Sequence, residues 1–388
     1  MVFLSLLYPK GTESEIHKKS RGGFMQNQIN AFQWGCIDGL ISEGEAVRLI
    51  NCLPVGTFPV HYPDIFIKGG EWEYGGAVHT NIGGINLPFF KQLSRKRKIK
   101  RLLRSLRGEE IVIYSTYLPF LGAVKNIDKS CKVTLIVTDL PEYYDLGKTG
   151  IIKKLMRKIN NKMIYSAMAR ADRFVLLTEA MHAPLGVGSR PYTVVEGIYG
   201  GEISAQSETQ GKNIFYAGAL HERFGIKTLL DAFSMISDED FRLILCGDGD
   251  AVPAIKKAAE KDPRIKYLGY VPKKEADSLR ADAALLINPR PAQGEYTKYS
   301  FPSKTMEYLA SGKPFLGYKL DGIPGEYDDY INYIDGELAE DMAHAMEAIC
   351  NDESGIYRRK AARAADFIAK EKNSRTQAKK ILTMIKEN

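Results

Sequence analysis

Residues 300–312 read SFPSKTMEYLASG and set Lys304 and Glu307 three residues apart, just behind a proline. On a helix that spacing puts an ammonium and a carboxylate on one face. Ser303 is the expected N-cap, and Gly312 the expected stop just past the helix end. A helix start carries unpaired N–H groups and a partial positive charge, which together attract phosphate. A lysine in that first turn is unfavourable without an anion nearby, so Lys304 points to a bound anion, with Ser303 and Thr305 beside it. Glu307, one turn further on, could accept both hydroxyl protons of a vicinal diol such as ribose. Phosphate at the helix tip and pentose beside it would make a nucleoside-diphosphate site. The same pair also fits a plain ion pair on an exposed helix, contributing about 0.2–0.5 kcal/mol.

Seven further positions bear on the choice. Gly218 follows the apolar run NIFYA, where a missing side chain lets a pyrophosphate come close to the backbone. Arg223, in the next turn, can pair with phosphate bidentately. Tyr270 and Val271, ahead of Pro272, offer an aromatic wall and backbone edges suited to a flat base. Arg290 leaves the end of the run AALLINP beside the Lys304 helix and can share the phosphate charge. Gly247 and Gly249 form another tight turn, which reads equally as a ligand contact and as a plain strand-to-helix turn.

These residues need elements to hold them. Apolar runs alternate with helical stretches along nearly all of the 388 residues, the pattern of an α/β protein with parallel sheets. Runs such as EEIVIYSTYLP and KVTLIVTDLP are almost continuously apolar, as strands covered on both faces are. The polar stretch GGEISAQSETQGKN (200–213) reads as a linker. We therefore expect two Rossmann-like, doubly wound domains, 1–205 and 206–370, facing each other across a cleft at their strand ends. A last helix, 371–388, is expected to pack back on the first domain.

Composition narrows the function. Five scattered cysteines with no CxxC spacing suggest reduced thiols and a cytoplasmic protein. The six histidines show no metal-ligand spacing, so no metal is expected. No apolar stretch is long enough to span a bilayer, and the opening VFLSLLYP reads as a strand. The net charge of +7 is uneven: residues 1–210 hold 27 Lys+Arg and 19 Asp+Glu, against 27 and 28 in 211–388. Two helices concentrate it. Segment 91–107 carries nine basic residues and no acidic one, with Ile99, Leu102, Leu103 and Leu106 at helical spacing. In 149–170, Ile152, Met156, Ile159, Met163 and Ala167 form one stripe among lysines. Each helix can be core-facing with a solvated basic back, or can rest on an anionic membrane surface. Nucleic acid is not expected as a partner, because no aromatic platform accompanies the charge.

Taken in order, NIFYAGALHERFGIKTLLDAF, FRLILCGDGDAVPAIKKAAEK, RIKYLGYVPKKEADSLRADAALLINP and SFPSKTMEYLASGKPFL resemble the nucleotide domain of GT-B glycosyltransferases, specifically glycosyltransferase family 4. The resemblance covers roughly 212–350 well and the first half loosely. It implies transfer of a sugar from a nucleotide-diphosphate donor, UDP first among the bases, to a saccharide or lipid-linked acceptor in surface or exopolysaccharide synthesis. It also implies retention of configuration, no cofactor beyond the donor, and Glu307 on the donor ribose. Gly22 and Gly23 resemble the family's glycine-rich loop near the donor phosphate, although a simple helix start reads the same way. Asp139, ending LIVTDLP, stands where the family often has His-Asp, near the reacting hydroxyl or as a cap for the next segment. His79 and Thr80 could line the acceptor side. The chain departs from the pattern in three places: Tyr299 replaces the first of two paired glutamates, and Ala219 and Phe224 stand where Arg and Lys are usual. Arg223 and Lys304 would then supply the charge. An epimerase or hydrolase of the same fold, or a non-catalytic partner protein, are the alternatives.

Overall fold

A computed structural model of the chain describes residues 1–21, 27–143, 150–201 and 211–387. Gly22, Gly23 and most of the expected linker lie outside the described residues. Two compact units emerge: Met1–Gly200 together with Asn373–Asn388, and Gly201–Lys372.

The first unit is built on an eight-stranded sheet. Its strands run in the spatial order Tyr192–Val194, Arg173–Leu176, Lys132–Val137, Glu110–Tyr114, Val2–Ser5, Arg48–Asn51, Ala77–Asn81 and Gly70–Tyr74. All pairings are parallel except the edge hairpin formed by the last two. The central strands read VFLS and EIVIY and are buried on both faces, which explains why their apolar runs do not alternate. Phe3, Leu49, Val112 and Val175 from the sheet meet Trp34, Ile37 and Leu40 of the helix Asn27–Ser42. Ala378, Ile381 and Leu382 of the helix Ser374–Lys386 complete that core. Asn373 caps this helix by accepting from the Thr376 N–H at 2.9 Å, and it bridges to Tyr199.

The second unit has six parallel strands. In space they follow Ile265–Gly269, Phe241–Asp248, Lys212–Ala219, Leu285–Asn288, Phe315–Gly317 and Asn332–Tyr333. Numbered within the unit, the order is 3-2-1-4-5-6, that of a dinucleotide-binding fold. Strand order reverses between Lys212–Ala219 and Leu285–Asn288, and ligands of such sheets sit beyond the carboxyl ends at that point. Ile214, Leu243, Leu285 and Ile287 pack against Leu229 and Phe233 on one helix and Met342 and Met346 on another.

The two basic helices behave differently from a plain core-facing reading. In Phe90–Leu103, Ile99 and Leu103 are buried, but Leu102 is exposed, and Lys91 and Arg95 turn inward. Lys91 donates to the Val55 carbonyl, and Arg95 donates to Leu53 O at 2.8 Å and Tyr117 Oη at 3.0 Å. In Ile151–Met168, Met156, Ile159 and Met163 face solvent, while Ile164 and Met168 on the other side of the helix are buried. Helical periodicity finds a stripe; it does not say which stripe meets the sheet.

Candidate functional site

The helix Ser303–Ala310 starts on Pro302, so the cap position is one residue earlier than expected and no side chain caps it. Ser303 is instead the first helical residue. Its end follows the sequence reading, with Gly312 in the left-handed region at φ +68. Thr305 turns inward and is fully buried, so it is a core residue rather than part of an open ligand surface. Its hydroxyl has no partner among the described residues.

Lys304 lies back over the end of the strand Lys212–Ala219. Its ammonium sits 5.5 Å from the centre of the Tyr216 ring and so close to Gly218 that a Cβ there would stand 2.1 Å from Nζ. Gly218 in turn pairs with Gly247 across the two strands, and a Cβ at Gly247 would stand 1.8 Å from the Gly218 carbonyl oxygen. The two glycines therefore clear the floor on which the lysine rests. Loss of hydration lowers the Lys304 pKa, Glu307 works against that shift, and Arg290 adds to it. Among the described residues no carboxylate forms an ion pair with Lys304.

Arg290 comes two residues after the strand Leu285–Asn288, at the strand-order reversal. It donates from Nη2 to Ser300 Oγ at 3.0 Å and lies over the Tyr296 ring at 4.9 Å. Its Nε is buried without a partner among the described residues. Burial lowers its pKa, the Tyr296 and Tyr216 hydroxyls oppose that, and the Arg223 guanidinium reinforces it. Arg223 is exposed in the short turn Glu222–Phe224, and the Phe224 ring lies 4.9 Å from its guanidinium and 5.9 Å from that of Arg290. Three cations thus converge on one strand edge and repel one another. Such a cluster is costly unless a multiply charged anion joins it.

Glu307 is half exposed and does not pair with Lys304; its carboxylate reaches Arg280 Nη1 at 3.6 Å. The plain ion-pair reading of the Lys304–Glu307 spacing is thereby set aside. Arg280 is also held by Asp277 at 2.7 Å and belongs to the helix Lys273–Ala281. The exposed Tyr270 and the half-buried Val271 precede that helix, which therefore ties the expected base and ribose positions together. Sequence reading missed Arg280, Tyr296 and Ser300. Arg280 had one usable signal, its spacing three residues after Asp277.

In the first unit, Asp139 lies two residues past the strand Lys132–Val137. Its carboxyl keeps an open side to solvent, yet loss of hydration in dense surroundings pushes its pKa up to about 6, against the pull of a hydrogen bond from Thr138. His79 corrects an expectation. It is fully buried in the edge hairpin, with Nδ1 accepting from the Leu49 N–H at 3.1 Å and Nε2 3.0 Å from the Tyr74 carbonyl. It is a satisfied core histidine, and burial lowers its pKa. Among the described residues no group of three His, Cys, Asp or Glu could hold a metal ion, and no helix is long and apolar enough to cross a membrane.

Comparison with known proteins places these observations. Residues 211–352 match the family described as "Glycosyl transferases group 1". The putative teichuronic acid biosynthesis glycosyltransferase TuaH of Bacillus subtilis (strain 168) is 24% identical over 263 residues, 63% of this chain and 65% of TuaH. The chain thus matches under two thirds of that relative's length. Among solved structures, Anabaena HepE in complex with UDP is similar over 100% of both chains, with a TM-score of 0.64 and 13% identity. Sucrose-phosphate synthase from Thermosynechococcus elongatus covers 100% of this chain and 99% of its own, with a TM-score of 0.66 and 13% identity. At such identities the likeness shows the fold, and that fold is GT-B, with two Rossmann-like units.

Proposed function

With residues 211–352 a group 1 glycosyltransferase domain on a GT-B frame, we propose that the chain transfers a sugar from a nucleoside-diphosphate donor to a saccharide or lipid-linked acceptor. The observation that carries this reading is the cluster of Lys304, Arg290 and Arg223 at the strand-order reversal, with no ion-paired carboxylate among the described residues, beside an uncapped helix start.

The diphosphate lies over Gly218, where the cleared backbone and Lys304 meet it, and Arg290 brings its unpartnered Nε. Glu307 holds the ribose hydroxyls, and Tyr270 and Val271 flank the base. As the bond to the sugar breaks, negative charge grows on the departing phosphate, and these cations stabilise it more than they stabilise the intact donor. Side-chain cations thus do the work a metal would otherwise do. Asp139 serves the acceptor hydroxyl, and its raised pKa suits a group that takes up a proton near neutrality. UDP is the first base to test, since HepE was solved with UDP and with UDP-glucose. Retention of anomeric configuration and a role in surface polysaccharide synthesis, with the acceptor at an anionic inner membrane face, complete the reading.

The test is titration calorimetry with UDP, GDP, ADP and CMP, followed by product analysis with the matching sugar donors. Binding of one nucleoside diphosphate and acceptor-dependent release of it support transfer. Release without acceptor favours a hydrolase or epimerase, and no binding to any of the four removes the donor site.

A further inference from the structure

We propose that the first unit docks on an anionic lipid bilayer through two neighbouring helices, Phe90–Leu103 and Ile151–Met168, each presenting a short apolar edge beside basic side chains. This deepens the reading that the acceptor lies at a membrane, but it rests on residues of the first unit that take no part in the proposed donor site, and it is tested without donor or acceptor.

The helix Leu118–Val124 packs against both, so the two belong to one layer. On Ile151–Met168, Leu155, Met156, Ile159 and Met163 are 51–59% exposed. At 100° per residue they span one continuous arc about 100° wide, well apart from the buried Ile164 and Met168. Lys158 and Lys162 border that arc, and the helix Ile151–Met168 contains no acidic residue. A soluble helix buries such a stripe; here Ile164 and Met168 on another side are the buried pair, and the stripe has no cover among the described residues.

The second helix repeats the plan. Phe89 and Phe90 are 77% and 60% exposed, and Leu93 is 46% exposed one turn later. Phe90 and Leu93 share a face with Arg97, Lys100, Arg101 and Arg104 further along. The aromatic pair is held out by an uncommon backbone. Phe89 has φ +64 and ψ −49, and the Phe90 N–H donates to the Pro88 carbonyl at 2.8 Å, closing a strained three-residue γ-turn. A bulky residue keeps such a conformation only where its surroundings fix it.

Apolar edges beside cationic rows match a bilayer's chemistry: acyl chains for the phenylalanines and the methionine stripe, anionic headgroups for the lysines and arginines. A nucleic acid would meet the charge but leave the apolar arc in water.

The experiment is flotation of the full chain with neutral phosphatidylcholine vesicles and with vesicles containing 30% phosphatidylglycerol. We expect binding to the anionic vesicles that weakens in high salt. Lys158→Gln with Lys162→Gln should lower the partition coefficient roughly 25-fold, and Ile159→Ser with Met163→Ser at least tenfold, with nucleotide binding unchanged. Phe90→Trp, a variant that keeps the fold, should show emission quenched by brominated lipid. Equal binding to both vesicle types, binding to neither, or unchanged binding of both double variants overturns the proposal. So does capture of the chain by RNA with no vesicle binding, or unquenched Phe90→Trp emission.

Discussion

Lys304→Met separates a structural lysine from a ligand-binding one. In the free protein the ammonium is stripped of water and repelled by Arg290, so its pKa falls below the ordinary lysine value. A lysine whose pKa is lower folded than unfolded weakens the fold wherever it must carry a charge, and stability recovers as pH rises toward the unfolded value. Replacing it by an uncharged side chain of similar length removes that penalty. Without ligand, Lys304→Met should therefore melt at or above the wild-type temperature. Donor binding moves the other way. Losing one charge-assisted contact costs about 1.5–3 kcal/mol, or about 10- to 150-fold in Kd for UDP. At a UDP concentration 100 times the wild-type Kd, wild type gains about 2.7 kcal/mol, roughly 5–11 °C for a unit of this size. A variant binding 30-fold more weakly gains about 0.9 kcal/mol at that concentration, roughly 2–4 °C. Calorimetry and thermal melts with and without UDP read both quantities. A lower melting temperature with unchanged UDP affinity would refute the argument, because Lys304 would then be supporting the fold.

Gly247→Ala should destabilise the second unit by more than about 2 kcal/mol, since its Cβ meets the Gly218 carbonyl, a backbone atom that cannot swing aside; denaturant titration measures it. Lys91 is buried beside Arg95, and its pKa is pushed down to about 7, so stability should rise with pH from about 7 toward 10.5. In Lys91→Met that slope should flatten in melts taken across the range. If Asp139 takes the acceptor proton, the pH–rate profile should lose activity below about 6, and Asp139→Asn should abolish that limb and lower kcat by about 100-fold or more.

The alternation of strands and helices was legible because central strands such as EIVIY carry unbroken apolar runs. The 3-2-1-4-5-6 order was not, because register and neighbour choice depend on contacts far apart in the chain. Gly312 declared its left-handed turn by residue type alone. Ser303 misled, because a serine before a helix is usually the cap, whereas Pro302 with its fixed φ takes that place. Lys304 and Gly218 could be singled out separately, but their contact could not, since it joins residues 86 apart. The stripe on 151–168 showed its period and hid its direction: Leu155, Met156, Ile159 and Met163 face water, and Ile164 and Met168 are buried.

The helix Ser374–Lys386 supplies Ala378, Ile381 and Leu382 to the core of the first unit, though it follows the whole second unit in sequence. On the ribosome, residues 201–372 can therefore acquire their hydrophobic interior while the earlier-made half still waits for its closing segment. Quality control in the cell would meet a nascent chain whose older part stays open longer than its younger part, its core cluster around Trp34, Ile37 and Leu40 incomplete until Ala378, Ile381 and Leu382 emerge.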